Sequence, residues 1–373
     1  MEPRNAVLST LVSHVEHRLT PHICVYSSLS RIPLTVIYPL DQVKNQTAEV
    51  RSTLKKCFPS RITRTDTMEI TITAVVVTYN RKSLLQNCLH ALAGQTRRLD
   101  YILIVDNAST DGTREMLAQQ GWLLRGNIEL LSLEQNCGGA GGFAEGLHLA
   151  VEHGADWIWM MDDDAVPRPD ALAELLMIAD NPGNVYGSLA VNGDVTAWVT
   201  KRLDDKQQST DRADMIPAKA RVQSLPFLGF LVHRKLVERI GLPDAGYFIA
   251  ADDIEYCLRA ERAGAQIIVA GRSRIEHPKS ERYVVRLPGR SLICLRLPPW
   301  KRYYDTRNRL LIARKYFGTK LLTQTIPSSF VRMFATLKNE PHRLLQIWAF
   351  FTGMVDGLLG LKGRRHTKWR ISQ

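Results

Sequence analysis

Three consecutive aspartates, Asp162, Asp163 and Asp164, end an apolar run, Trp157-Ile-Trp-Met-Met161. Like charges this close repel and raise one another's pKa unless a cation joins them. Hard oxygen ligands of this type suit Mg2+ or Mn2+, which often binds protein through one or two carboxylates plus substrate phosphates. The same triplet also reads as a solvated acidic turn or helix N-terminus, where carboxylates are favoured in any case. A second acidic cluster, Asp252, Asp253 and Glu255, sits at the expected start of a helix. The helix field keeps a carboxylate ionised there, which favours a general base acting on a nearby hydroxyl; an ordinary acidic first turn is the alternative. His277 follows a strand-like run and is either a third metal ligand or a surface histidine. Asp106, beside Asn107, can accept hydrogen bonds from a nucleobase or ribose hydroxyl, or cap the loop after it. The loop at 136–142 carries four glycines before a helix, with Asn136, Gly138 and Gly139 as nucleotide-facing candidates. Glycine lets backbone approach a ligand closely, and a helix N-terminus favours phosphate. The loop lacks the Gly-Lys-Ser/Thr of a phosphate-binding P-loop and the first-strand position of a dinucleotide fingerprint. Tight helix–sheet packing explains its glycines equally well.

The elements that position these residues are legible from periodicity. The β-branched run 70–78 predicts a strand buried on both faces. Asn80 is placed to cap the next helix, whose Leu84, Leu85, Cys88, Leu89 and Leu92 recur at helical spacing. Further strands are expected at 101–105, 128–133 and 157–161, with a helix to about 120 and another over 143–153 closed by Gly154. This alternation predicts an α/β fold, a mostly parallel sheet with helices on both faces. Ligands in such sheets bind beyond the carboxyl ends of the strands, where Tyr79-Asn80, Asp106-Asn107, the glycine loop and the aspartate triplet all fall. Further on, 185–191, 227–232 and 266–270 read as strands, 234–240 and 252–263 as helices, and 204–217 as a polar flexible loop.

Residues 1–67 show no clear period and read as a weakly ordered extension; a compact catalytic domain is expected over 68–285 and a basic, largely helical region over 286–373. The six cysteines form no Cys-x-x-Cys pair, which excludes the usual zinc and disulfide frameworks and suits reduced thiols in the cytosol. The N-terminus lacks a basic segment followed by an apolar core, so no signal peptide is expected. Of 49 Lys and Arg, 18 fall in 286–373, against 3 of 37 Asp and Glu, so the tail carries +15 and the rest −3. A basic excess confined to a tail, with no nucleic-acid module, argues against a nucleic-acid partner and for an anionic surface or lipid-linked phosphate. The stretch 344–361 is nearly long enough to span a membrane, but Asp356 and three glycines interrupt it. A helix lying on the membrane surface is the expectation, with a helical cover over the sheet or a homo-oligomer contact as the alternative.

Five ordered segments carry a family resemblance: Val75-Val-Val-Thr-Tyr-Asn80, Val105-Asp-Asn-Ala-Ser-Thr-Asp-Gly112, Asn136-Cys-Gly-Gly-Ala-Gly-Gly-Phe143, Met161-Asp-Asp-Asp164 and Ala251-Asp-Asp-Ile-Glu-Tyr-Cys-Leu-Arg259. Together they resemble the family 2 glycosyltransferases of the GT-A fold, within them the bacterial rhamnosyltransferase and galactofuranosyltransferase group. Tyr303-Tyr-Asp-Thr-Arg-Asn308 is similar to a segment that follows the catalytic domain in that group. The resemblance implies an inverting, metal-dependent transferase of cell-surface polysaccharide synthesis. Its donor would be a dTDP- or UDP-linked sugar and its acceptor a glycan or a polyprenyl-diphosphate-linked glycan at the inner face of the cytoplasmic membrane. By position, Thr78, Tyr79, Asn80 and Asp106 would hold nucleobase and ribose. Asp162 and Asp164 would flank Mn2+ or Mg2+ and the diphosphate, with Asp163 nearby and His277 as the late metal ligand. Asp253 would be the catalytic base, with Asp252 and Glu255 supporting it or binding the acceptor, and Arg307 and Asn308 would meet phosphate. A nucleotidyltransferase needs a similar set of carboxylates, metal and nucleotide, and releases pyrophosphate instead. A non-catalytic scaffold of the same fold is the other alternative, disfavoured by two intact acidic clusters.

Overall fold

The computed structural model describes residues 70–203, 209–278, 281–287 and 290–371. The expected extension over 1–67 lies outside the described residues. Residues 70 onward fold as one compact unit. In chain order its elements are β1 (Ile72–Thr78), α1 (Lys82–Ala93), β2 (Tyr101–Asp106), α2 (Thr113–Gln119), β3 (Ile128–Ser132), α3 (Gly138–Glu152) and β4 (Trp157–Asp162). There follow β5 (Val166–Pro167), α4 (Ala171–Ile178), β6 (Val185–Asn192), β7 (Val195–Lys201), β8 (Ser209–Arg212), β9 (Ala220–Arg221) and β10 (Phe230–His233). The chain continues through α5 (Arg234–Ile240), α6 (Asp252–Arg262), β11 (Ile267–Glu276), β12 (Arg282–Leu287) and β13 (Arg290–Leu295). It ends with α7 (Pro299–Tyr316), α8 (Ile326–Asn339) and α9 (Arg343–Leu359).

The main sheet runs β3-β2-β1-β4-β10-β6-β11-β5. Its first four strands are parallel, as the alternation predicts. Between β4 and β6 lies β10, antiparallel to both, so the sheet is mixed at its centre. The aspartate strand is thus buried between β1 and β10. Successive side chains of β1 alternate between two cores: Val75 and Val77 meet Phe143 and Leu147 of α3, whereas Ala74 and Val76 meet Leu85 and Leu89 of α1. A strand covered on both faces has no polar side to present, which is why its sequence is apolar apart from Thr73 and Thr78.

The polar stretch 204–217, expected to be a flexible loop, contains β8 paired to β7 and a 3-10 turn at Ala213–Met215; residues 204–208 lie outside the described set. Residue 286, the expected start of the helical region, lies within β12, which pairs with β13 as an antiparallel hairpin. Among the described residues, no helix is long and apolar enough to cross a membrane. The Asp356 carboxylate that interrupts α9 is buried and accepts from Tyr303 Oη at 2.5 Å, Arg365 Nε at 2.8 Å and Trp369 Nε1 at 2.9 Å. A buried carboxylate is retained when charged and polar donors satisfy it. Here it pins α9 to α7 and to the chain end.

Candidate active site

The ends of β1 and β4, the start of α3, the start of α6 and the start of α7 surround a cavity of about 730 Å³. It falls in the usual size range for a small-molecule site. Asp162, Asp163 and Asp164 line it together with Asp252, Asp253 and His277. The two acidic clusters, 88 residues apart in sequence, therefore meet across one space.

The triplet is not three equivalent carboxylates. Asp163 is 2% exposed; its Oδ2 accepts from Thr78 Oγ1 at 2.8 Å and its Oδ1 from Arg81 Nη1 at 3.3 Å. Arg81 also donates to Asp164 Oδ2 at 3.1 Å. Burial, then the neighbouring charges of Asp164, Asp163 and Asp252, push Asp162 well above the usual carboxylate range. Burial works in the same direction at Asp164, but the His277 contact and Arg81 outweigh it and its pKa falls. Asp164 Oδ1 meets His277 Nε2 at 3.4 Å, while His277 Nδ1 is buried with no hydrogen-bond partner. Trp198 covers the His277 ring at a centroid distance of 4.9 Å. Among the described residues, no group of three His, Cys, Asp or Glu is gathered as a metal ligand set. Arg81 meanwhile supplies part of the positive charge that the triplet demands.

Asp252 and Asp253 open α6, and the turn before them is strained. Phe248, Ala250 and Ala251 adopt φ of 65°, 70° and 61°, in the left-handed region that non-glycine residues rarely enter. Such strain persists only where surrounding structure over-determines it, and it clusters at functional sites. Burial, joined by the charge of Asp253, pushes the Asp252 carboxyl up, and burial also raises Asp253.

Several residues fall elsewhere than the sequence predicts. Arg307 and Asn308 do not face a phosphate: both are completely buried. Arg307 donates to the carbonyls of Gly363, Gly246 and Tyr247, and Asn308 Nδ2 to those of Tyr247, Ile249 and Ala250. They clamp the strained turn. Glu255 is fully buried behind the cavity and does not line it. It accepts from Arg259 Nη2 at 2.6 Å, Lys315 Nζ at 2.8 Å and Tyr316 Oη at 2.5 Å, and so ties α6 to α7. Those donors outweigh burial and hold its pKa low. Asp106 also lies outside the lining; its Oδ1 accepts the Ser109 amide at 2.9 Å. Asn80 does not cap α1. It takes φ 53° and accepts the Thr110 amide at 2.7 Å, linking two loops at the cavity rim.

Tyr79, Asn80, Asn136, Gly138 and Gly139 do line the cavity, as does Thr78, whose hydroxyl serves Asp163. The glycines belong to the first turns of α3, one step later than a loop preceding the helix. Gly138 has φ +74°, and a Cβ there would collide with the Phe248 carbonyl oxygen, so glycine permits the strained turn to pack on α3. Gly142 similarly admits Val77 against the helix. Three lining residues are not singled out from sequence, and Asn107 is placed at the ligand end without a role of its own. Asn107 bridges the Cys137 amide and Gly138 carbonyl, each at 2.8 Å. Arg81, Trp300 and Lys301 line the cavity, the last two from the start of α7. A Pro-Pro pair before an aromatic and a lysine gives helix initiation, but nothing local says where that helix docks.

The fold is that of the GT-A glycosyltransferases, with a cavity at the carboxyl ends of its parallel strands lined by two acidic clusters. The structure of GalNAc-T7 with UDP, GalNAc and Mn2+ aligns with TM-score 0.52 at 15% identity, over 82% of this chain and 59% of that one. The model of "Glycosyl transferase family 2" matches residues 73–241. Galactofuranosyltransferase GlfT1 of Mycobacterium tuberculosis (strain ATCC 25618 / H37Rv) is 32% identical over 268 residues, covering 69% of this chain and 86% of that protein. The Mycolicibacterium smegmatis protein of that name is 30% identical over 270 residues, covering 68% and 86%. The dTDP-rhamnosyl transferase RfbF of Shigella flexneri is 24% identical over 309 residues, covering 79% and 98%. The chain belongs to glycosyltransferase family 2, in its rhamnosyl- and galactofuranosyltransferase-like group, and is an enzyme of that class.

Proposed function

We propose that this glycosyltransferase moves a galactofuranosyl or rhamnosyl unit from a UDP- or dTDP-linked donor to a hydroxyl of a glycan or lipid-linked acceptor, in a single inverting displacement. The meeting of Asp253 with the aspartate triplet in one cavity carries this reading. One cluster suits the leaving diphosphate and the other the attacking hydroxyl. Asp253 lies in the first turn of α6 with its carboxylate raised by burial, near the range where a base both accepts a proton and is ionised at neutral pH. It would take the acceptor proton as the oxygen attacks the anomeric carbon. Arg81 and Lys301, both in the cavity lining, would meet the departing diphosphate.

Asp162, Asp164 and His277 would hold Mn2+ or Mg2+, which when bound neutralises the leaving diphosphate as a Lewis acid. Two carboxylates and an imidazole suit such an ion by type, and His277 Nδ1 has no other partner, but the three must first draw together. Arg81 must then release Asp164. Placement at a membrane surface is supported by the basic tail and by the apolar side chains exposed on α9.

Incubation with UDP-galactofuranose and dTDP-rhamnose, with and without Mn2+, tests the reading through nucleoside diphosphate release. Asp253→Asn is expected to lower turnover by about 10²–10⁴-fold while UDP affinity survives. Near-normal turnover would remove Asp253 from the role of base. Pyrophosphate release from a nucleoside triphosphate would favour a nucleotidyltransferase instead.

A further inference from the structure

A second cavity, of about 620 Å³, lies between the β13–α7 connection and the start of α9. Trp300 lines both this cavity and the catalytic one. We infer that this second cavity is a saccharide subsite that holds the acceptor glycan on its way to Asp253. The inference rests on the transferase reading above, and three observations carry it.

The first is position. Trp300 is one residue from Lys301, which lines the catalytic cavity, so a chain of sugars seated in the second cavity leads past the indole toward the base. The second is wall chemistry. The Trp300 indole, Pro298, Pro299 and Pro341 present flat apolar faces suited to the C–H face of a sugar ring. An amphipathic ring with a polar edge is well matched by an aromatic platform of this kind. The third is an unmet hydrogen bond. Gln346, also in the lining, is 2% exposed, and its Nε2 donates to the Leu297 carbonyl at 2.8 Å. Its Oε1 has no partner. A buried acceptor without a donor is uncommon and asks for an explanation. A sugar hydroxyl is a donor of the right kind, reached once the side chain shifts to bring Oε1, closed off in this structure, to the cavity surface.

Charge selects a neutral sugar over a phosphate. Arg296 at the rim faces Glu281 at 3.6 Å, and the buried Glu340 is matched by Arg302 at 2.7 Å. The lining cations are thus compensated, and an added dianion would find no uncommitted arginine or lysine there.

Saturation-transfer NMR on the full chain, with methyl galactofuranoside and methyl rhamnoside as probes, tests this. Signals are expected with the wild-type protein and are expected to persist when UDP with Mn2+ saturates the catalytic cavity. Leu345→Trp fills the second cavity from a half-exposed position, and Arg296→Ala removes a rim donor. Each is expected to weaken glycoside binding, the former by about tenfold or more, the scale of one lost contact. The acceptor KM should rise with it while the Kd for UDP stays within about twofold. Absence of glycoside signals, their displacement by UDP, or unchanged affinity in both variants would overturn the inference. Failure of the transferase reading looks different: glycosides bind and respond to Leu345→Trp, but no sugar nucleotide is turned over. If turnover occurs and the acceptor KM is unmoved in both variants, the subsite fails while the transferase reading stands.

Discussion

Asp252 and Asp253 are adjacent, yet their surroundings ask different things of them. Asp252 is only 8% exposed, and burial with the neighbouring Asp253 charge holds its folded-state pKa far above the unfolded value. For a carboxyl raised in this way, the stabilising contribution is present below the ordinary carboxylate range and is lost as pH rises through the folded value. At alkaline pH an ionised Asp252 therefore works against folding. Asp252→Asn keeps the shape without the charge. Its Tm is expected to exceed wild type at about pH 8, with the gain shrinking at about pH 5. A variant less stable than wild type at both values would show that the ionised carboxylate is satisfied in the native state. Both acidic clusters were legible in sequence, because like-charged residues packed into three or four positions are visible without a fold. What each carboxylate does was less so. Asp163 and Glu255 read as ligand-facing, and the structure commits them to Thr78 and Arg81, and to Arg259, Lys315 and Tyr316. Sequence shows a charge; only the fold shows which partner has already claimed it.

The start of α6 depends on α7. Three left-handed residues, Phe248, Ala250 and Ala251, set the direction in which Asp252 and Asp253 enter the cavity. Each such conformation costs about 1–3 kcal/mol unless held. Asn308 Nδ2 lies within 3.1 Å of three carbonyls of that turn, and Arg307 brackets it from Gly246 to Gly363. Asn308→Ala leaves those carbonyls without this donor and is expected to destabilise the protein by about 1–3 kcal/mol. A turn displaced by about 1 Å should cost on the order of 10²-fold in kcat. UDP affinity should move much less, since the residues proposed for the nucleotide stand at the end of β1 and the start of α3. If kcat and stability were both retained, the turn would be holding itself. The parallel half-sheet was legible, since each strand and helix there is a local periodic run with a short connection. The antiparallel insertion of β10 was not, because Phe230–His233 is too short to show a direction, and its neighbours β4 and β6 lie far away in sequence. The clamp was misread for a related reason: an arginine beside an asparagine looks the same in sequence whether it meets phosphate or carbonyls.

Across the whole molecule, the C-terminal helices leave one apolar face largely exposed. On α9, Leu344, Trp348, Phe351, Val355 and Leu359 recur at helical spacing and are 40% exposed or more, while the opposite face packs on α7 through Phe350 and Met354. Phe334 of α8 adds to the exposed set. The same region carries the chain's whole net positive excess, +15 over 286–373 against +12 for the full chain. An anionic lipid surface is complementary on both counts, since apolar side chains enter the interface and each nearby Lys or Arg adds about 1 kcal/mol of attraction. The protein is therefore expected to float with vesicles containing phosphatidylglycerol and much less with neutral phosphatidylcholine. Raising the salt to about 1 M, where screening shortens to about 3 Å, should release most of it. The double variant Leu344→Glu, Leu359→Glu should lose flotation while keeping its Tm, because these are the two most exposed apolar side chains of α9. Equal flotation of the variant and wild type would place the contact elsewhere. Dissociation of a sedimenting dimer by the same two substitutions would instead assign the face to a second copy of the chain.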